Sequence, residues 1–177
     1  MNKAVFLDRD GVLNRSLVRD GKPYAPTRIE DFEINPEIVQ LQRLRDAGYL
    51  LIVVTNQPDI ANGLVTRAFI DQLHTMLNAT VAFDEIIVCP HSNHEGCDCR
   101  KPKPGMLFQA RDRHGITMAH SFMVGDRWRD VLAGQAAGCK TVFIDGGYHE
   151  DAPAFNADYV CQTLGAAIDW MLHHASH

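Results

Sequence analysis

The sequence predicts an α/β fold, a doubly wound parallel sheet with helices on both faces. Short, wholly apolar runs recur along the chain at lengths suited to buried strands. Stretches with helical periodicity and clear start and stop residues stand between them. The 177 residues, 46% hydrophobic and 22% charged, suffice for one ordinary core that needs no disulfides. We therefore expect a single domain over residues 1–177, without internal repeats or low-complexity tracts.

The first strand is Ala4 to Leu7. A helix follows further on: Asn35 caps it, Pro36 suits its first turn because an N–H there has no partner to lose, Ile38, Leu41 and Leu44 mark one face, and Gly48 ends it. Leu50 to Val54 is the second strand, and the second helix starts from Thr66 with Phe69, Leu73 and Leu77 inward. Ile86 to Val88 is the third strand, and the third helix runs from about Pro104 to before Gly115. Phe122 to Val124 comes next, then a fourth helix from about Arg127 to before Gly138, a strand at Thr141 to Ile144 and a weaker one at Tyr159-Val160. Buried strands joined by helices imply a parallel sheet covered on both faces. Two stretches break the rhythm, Val12 to Asn35 and Cys89 to Gly105, and long irregular connections in compact domains are often functional.

Composition excludes several classes. Seventeen Lys+Arg against 22 Asp+Glu leave a net charge of -5 and no basic run, which argues against a nucleic-acid partner. The first apolar stretch turns acidic at Asp8 after four residues, too short for a signal-peptide core, and no later run approaches membrane-spanning length. A cytoplasmic protein without membrane contact is expected. Three of the five cysteines fall within Cys89 to Cys99, which in a reducing compartment favours a metal over disulfides. Cys139 and Cys161 lie in strand and helix patterns and read as core thiols.

In open parallel sheets ligands sit beyond the carboxyl ends of the strands. The first strand ends in Asp8-Arg9-Asp10-Gly11-Val12-Leu13-Asn14, whose two carboxylates can face one site and share a divalent cation. The second ends in Thr55-Asn56-Gln57, a hydroxyl and two amides able to bond phosphate or sugar oxygens. Arg100-Lys101-Pro102 precedes the third helix, and the fourth strand ends in Gly125-Asp126-Arg127. Acids for a metal, a hydroxyl and a lysine on one edge are the parts that phosphoryl transfer needs, since its catalysis is mostly positioning and neutralisation of spread negative charge.

This ordered set resembles the haloacid dehalogenase superfamily of phosphatases, over nearly the whole chain and with the Rossmann-like fold of that superfamily. The resemblance implies that Asp8 attacks phosphorus and becomes an aspartyl-phosphate, and that Asp10 serves first as acid and then as base. It implies that Thr55 and Lys101 hold the phosphoryl oxygens, and that Mg²⁺ is held by Asp8, the backbone carbonyl of Asp10, and Asp126. Asp130, one helical turn after Asp126, reads equally well as an acid that touches the metal shell and as an exposed first-turn acid favoured by the helix dipole, and stays outside the catalytic set.

Cys89, His91, Cys97 and Cys99 offer one imidazole and three thiolates in eleven residues, the inventory of a closed, structural Zn²⁺ site. His94 is a weaker rival to His91. Such a clamp over 89–99 fixes Arg100 and Lys101 at the mouth and stands in place of a large cap, for which the chain has no spare length. With the zinc loop, the motifs resemble the subfamily that holds heptose bisphosphate phosphatases and histidinol-phosphate phosphatases. Asn14, Ile60, Gly63 and Pro104-Gly105-Met106-Leu107 favour the heptose branch, which implies removal of the 7-phosphate of D-glycero-D-manno-heptose 1,7-bisphosphate on the way to a nucleotide-activated heptose for lipopolysaccharide or surface glycans. The five residues between His91 and Cys97, a short insert, resemble the histidinol branch, and Pro58-Asp59, in place of the Ser-Gly pair usual in the heptose branch, points to altered sugar contacts and a related sugar phosphate. On the heptose reading Arg100 and Arg127 meet the second charged end of the substrate, Asn56 and Gln57 its hydroxyls, and Arg19 to Tyr24 form a rim. A receiver-like signalling domain fits less well, because the second strand ends in Thr55 and no acid. With nothing that obliges a partner to close the site, a monomer is expected.

Overall fold

The computed structural model describes residues 1–174. A six-stranded, all-parallel sheet is built from β1 (Lys3–Leu7), β4 (Tyr49–Asn56), β5 (Glu85–Cys89), β6 (Phe122–Gly125), β7 (Lys140–Ile144) and β8 (Tyr159–Cys161), in the order β5-β4-β1-β6-β7-β8. The chain moves outward on one side of β1, then returns and continues on the other. The reversal of strand order therefore falls at β1, and such a reversal opens a crevice at the carboxyl end of the strands.

Alternation along β1 divides the core between two layers. Val5 and Leu7 face one side with Leu51, Val53, Leu73, Leu77 and Ile168, while Ala4 and Phe6 face the other with Ile52, Val54, Met106, Leu107 and Ala133. Burying one Leu- or Phe-sized side chain stabilises the fold by about 1.5–3 kcal/mol, so a strand apolar on both faces has only the sheet interior as a stable place. The helices that cover it are α1 (Gln42–Asp46), α2 (Arg67–Thr80), α3 (Gly105–His114), α4 (Trp128–Ala137) and α5 (Leu164–His174). Thr66 caps α2 by accepting the Phe69 N–H at 3.1 Å, and Gly115 and Gly138, both left-handed, close α3 and α4. Among the described residues no helix is long and apolar enough to cross a membrane.

Three elements differ from the sequence expectation. The first helix begins as a 3₁₀ segment, Pro36–Leu41, with the Asn35 side chain accepting from the Glu37 N–H at 3.0 Å, and becomes α-helical only over α1. A short hairpin, β2 (Leu17–Arg19) and β3 (Lys22–Tyr24), occupies the segment expected as a rim; Asp20 and Gly21 both take positive φ at its turn, the requirement of a two-residue hairpin loop. The unanticipated α5 has a legible signal: Thr163 accepts from the Ala166 N–H, and Leu164, Ala167, Ile168 and Met171 are its buried face.

Candidate active site

Asp8 leaves β1 at the strand-order reversal, where its N–H donates to the Val124 carbonyl on β6 at 3.0 Å. The chain then turns tightly, with the Arg9 carbonyl accepting from the amides of Val12, Leu13 and Asn14. Gly11 sits at φ +85°, and a Cβ there would lie 1.8 Å from Asp126 Oδ2, so only glycine lets this turn close over the neighbouring acid. Lys101, delivered by the loop before α3, is 2% exposed. Its ammonium donates to Asp8 Oδ1 at 2.9 Å, Asp130 Oδ1 at 2.6 Å and the Val54 carbonyl at 2.7 Å, which satisfies all three protons.

Asp130 is thus a buried partner of Lys101, and of the two readings the sequence allows, a place beside the metal shell and an exposed first-turn acid, the second does not hold. Its second oxygen accepts the Arg127 N–H at 3.0 Å, closing the first turn of α4. Gly125 is required beside it, because a Cβ would stand 2.2 Å from the Asp130 carboxylate. The signal lay in the i, i+4 spacing from Asp126, which a lone sequence cannot separate from ordinary helix-dipole placement. Asp130→Ala removes the shortest contact of Lys101 and the acceptor of the Arg127 N–H, while Asp8 and the Val54 carbonyl still hold the ammonium. The variant is therefore expected to lose about 1–3 kcal/mol in urea titration, and no loss at all would contradict this pairing.

Asp8, Asp126 and Asp130 bring carboxylate oxygens within 4.8 Å of one another. Asp130 uses both of its oxygens internally, whereas neither buried oxygen of Asp126 meets hydrogen-bond geometry with a partner, the Tyr148 hydroxyl being the one neighbouring donor that favours its ionised form. Burial, and then repulsion from Asp130, pushes the Asp8 carboxyl up to about 6 despite Lys101, and burial with Asp8 and Asp130 nearby raises Asp126 well above the usual carboxylate range. A buried carboxylate with two orphaned oxygens fits a hard divalent cation, which would keep Asp8 and Asp126 ionised against each other.

Asp10 has the opposite environment. Burial alone would raise it, but the Arg9 charge and hydrogen bonds from Asn14, Arg9 and Gln57 hold it below the ordinary range. Gln57 is placed differently from the sequence expectation of sugar contact: it is 1% exposed, and its amide donates to Asp10 Oδ2 at 2.8 Å and Thr55 Oγ1 at 2.9 Å. Asn56 lines the cleft but grips Lys101, donating to its carbonyl and accepting from its amide, each at 3.1 Å. The two amides therefore hold Asp10, Thr55 and Lys101 in place, and Thr55, fully buried, faces the same group of side chains.

Asp8, Asp10, Lys101 and Asp126 line a cleft of about 300 Å³ together with Pro23 and Tyr24 of the hairpin and with Arg100, Arg127 and Arg129, while Thr55 and Gln57 lie behind its surface. Arg100 donates to Asn93 Oδ1 at 2.7 Å and to the His91 carbonyl at 3.2 Å, so the Cys/His loop aims it. Arg127 pairs with Glu150, and Arg129, not singled out in the sequence, approaches the same carboxylate at 3.7 Å while stacking on Trp128. Arg129 carried no motif; only the first turn of α4 brings it to the cleft.

The second cluster joins Cys89 at the end of β5 to the loop after it. Cys89 Sγ lies 3.7 Å from Cys97 Sγ and 3.1 Å from Cys99 Sγ, and His91 Nδ1 lies 3.3 Å from Cys99 Sγ and 3.6 Å from Cys89 Sγ. Four free donors at these spacings approximate the edges of a tetrahedron with metal–sulfur bonds of about 2.3 Å, so the set fits a soft metal such as zinc. Burial pushes the Cys89 thiol up to about 12, and a cation's charge is what would favour its thiolate. His94 is absent from this cluster.

A carboxylate at the strand-order reversal, paired to a buried lysine and flanked by a second acid, defines a hydrolase of the haloacid-dehalogenase-like class. The chain belongs to that family. The HAD-hydrolase-like family description matches residues 98–167. The D-glycero-beta-D-manno-heptose-1,7-bisphosphate 7-phosphatase of Pasteurella multocida is 40% identical, over 93% of this chain and 94% of its own, and that of Helicobacter pylori is 35% identical, over 96% and 97%. Among solved structures, the D,D-heptose 1,7-bisphosphate phosphatase from B. bronchiseptica, complexed with magnesium and phosphate, superimposes with a TM-score of 0.81 at 30% identity, over 98% of this chain and 99% of that one.

Proposed function

We propose that this protein removes the 7-phosphate of D-glycero-D-manno-heptose 1,7-bisphosphate through a covalent intermediate on Asp8, in the supply of nucleotide-activated heptose. The observation that carries the chemistry is the buried Asp8–Lys101 pair beside the two unpartnered oxygens of Asp126. The similarity to heptose bisphosphate phosphatases over more than nine-tenths of the chain supports the substrate.

In the first half-reaction an Asp8 oxygen forms a bond to phosphorus as the bond to the sugar oxygen breaks; Asp10, ionised in the free protein, takes up a proton when the negative phosphoryl group binds beside it and gives that proton to the departing alkoxide. Lys101 and Thr55 bind the equatorial oxygens, where charge accumulates. In the second, Asp10 takes a proton from water, the water oxygen attacks phosphorus, and Asp8 leaves as a free carboxylate with inorganic phosphate. Asp8, the Asp10 carbonyl and Asp126 would hold Mg²⁺, which when bound supplies charge neutralisation at the phosphoryl group. Cys89, His91, Cys97 and Cys99 would hold Zn²⁺ in a structural role, because four protein ligands leave no open position.

The other phosphate of the substrate suits Arg100 and Arg129, since a guanidinium fork binds phosphate with two donors, whereas the Nε and Nη2 of Arg127, expected from the sequence to meet this end of the substrate, are held by Glu150. A histidinol phosphate would bring a cation to the same arginines. The test is kcat/KM for the heptose bisphosphate and for L-histidinol phosphate, side by side with Mg²⁺, by phosphate release. We expect a preference for the bisphosphate of about 100-fold or more, about 2.7 kcal/mol of differential transition-state binding. Faster turnover of histidinol phosphate would make the short zinc loop the true branch marker. Arg100→Ala is expected to lower bisphosphate kcat/KM by about tenfold or more while affecting monophosphates less, and unchanged bisphosphate turnover would remove Arg100 from this role.

A further inference from the structure

Arg9 is the largest of the fully buried side chains, at 0% exposure. Placing a guanidinium in the interior costs several kcal/mol unless its donors are well matched. Arg9 folds back on its own neighbour: Nη2 donates to Asp10 Oδ1 at 3.0 Å and Oδ2 at 3.1 Å, and Nε reaches Oδ1 at 3.3 Å. Its remaining terminal nitrogen, Nη1, stands 3.3 Å from Nε2 of His74, 65 residues away on α2. The Phe32 ring lies 5.9 Å from the guanidinium carbon.

We propose that Arg9 and His74 are positioning residues for Asp10: α2, through His74, fixes the guanidinium that in turn fixes the carboxylate used as acid and base. The inference rests on the assignment of Asp10 under the proposed function. Guanidinium has no lone pair to offer, so His74 accepts through Nε2 and carries its proton on Nδ1. The imidazole is suited to this because it stays neutral: burial first, and then the Arg9 charge, push His74 down to about 4. His74 sits on the buried face of α2 with Ile70, Leu73 and Leu77, where an apolar residue would serve packing as well. Asn14 at 3.0 Å and Gln57 at 2.8 Å hold Asp10 from its other sides. The carboxylate is therefore fixed by three segments, the turn after β1, the end of β4, and α2 acting through Arg9. Proton transfer depends on this order of precision, since a displacement of about 1 Å can cost 100-fold in rate.

A leaving-group test separates positioning from mere folding. Departure of a sugar alkoxide needs the Asp10 proton, whereas p-nitrophenolate departs without one. The kcat/KM of each ester covers the steps through that departure. His74→Leu and Arg9→Lys are expected to lower the ratio of kcat/KM for an alkyl phosphate to that for p-nitrophenyl phosphate by about tenfold or more. His74→Gln, whose amide oxygen restores an acceptor, should keep the ratio within about threefold of the parent. The alkyl esters are the heptose bisphosphate and glycerol 1-phosphate, so failure of the parent enzyme on the heptose alone would count against the substrate and leave the ratio measurable. Thermal unfolding and far-UV circular dichroism identify variants that fold, and Arg9→Lys with His74→Gln carry the test if His74→Leu does not. A parallel fall for both esters, or no change in the ratio, overturns the proposal.

Discussion

Replacing Asp8 by Asn is expected to abolish turnover by about a thousandfold or more, at least about 4 kcal/mol of lost transition-state stabilisation, while the fold survives. An amide cannot form the acyl-phosphate bond, and no neighbouring group can take its place: Asp126 lies under the Gly11 turn and Asp130 is committed to Lys101 and the Arg127 amide. Lys101 keeps two of its three acceptors in the variant, Asp130 and the Val54 carbonyl, so the buried ammonium is not orphaned.

The same substitution should also leave the metal-free protein at least as stable as the parent. A carboxyl raised from 3.8 to about 6 in the fold is one whose charge the fold disfavours. The folded state then binds more protons than the unfolded one between these two values, so the contribution of Asp8 to stability rises as pH falls through that window and is unfavourable at pH 7. Asn removes that penalty. Thermal unfolding at pH 7 without divalent cations should show no loss for Asp8→Asn, and added Mg²⁺ should raise the melting temperature of the parent more than that of the variant. A variant that retains substantial phosphatase activity would remove Asp8 from the nucleophile role, and one that melts far below the parent would contradict the electrostatic reading.

Loss of the Cys/His centre is the second large effect. Cys97→Ser, Cys99→Ser leaves two of four ligands, and we expect such protein to be purified without stoichiometric zinc, to unfold at a markedly lower temperature, and to lose about 10- to 100-fold in kcat/KM. The kinetic loss follows from connectivity. The His91 carbonyl and Asn93 hold the Arg100 guanidinium, and Lys101, the next residue, supplies the ammonium on Asp8. Lys103 adds a donor to the Cys97 carbonyl at 2.7 Å, which ties the far side of the loop to the start of α3. A loop released from its metal would therefore misplace both cations at once. Full zinc content in the double variant, measured by elemental analysis, would refute the assignment.

The two core layers and the alternation of strands and helices were legible in the sequence because apolar runs and cap residues obey local rules. Thr66, Gly115 and Gly138 stop or start helices wherever they stand. The acids at the ends of β1 and β6 were legible for a related reason, since a parallel sheet sends every strand's carboxyl end to one edge. The hairpin and α5 had local signals of their own, in Asp20-Gly21 and in Thr163 with the apolar spacing after it.

What the sequence could not supply was the direction of each polar side chain once several elements met. Gln57 and Asn56 stand beside Thr55 as if for substrate, yet their amides close on Asp10, Thr55 and Lys101. Asp130, which the sequence leaves between a metal-shell and an exposed place, is the closest partner of Lys101, and Arg9, a charge between two acids, points inward to a helix 65 residues on. By itself the sequence determined the sheet, its helices, and the edge on which the chemistry gathers, because burial of apolar area is additive and follows periodicity. Only the tertiary structure decided which buried polar groups pair, because each hydrogen bond depends on the placement of two segments to within a fraction of an ångström, and periodicity carries no such information.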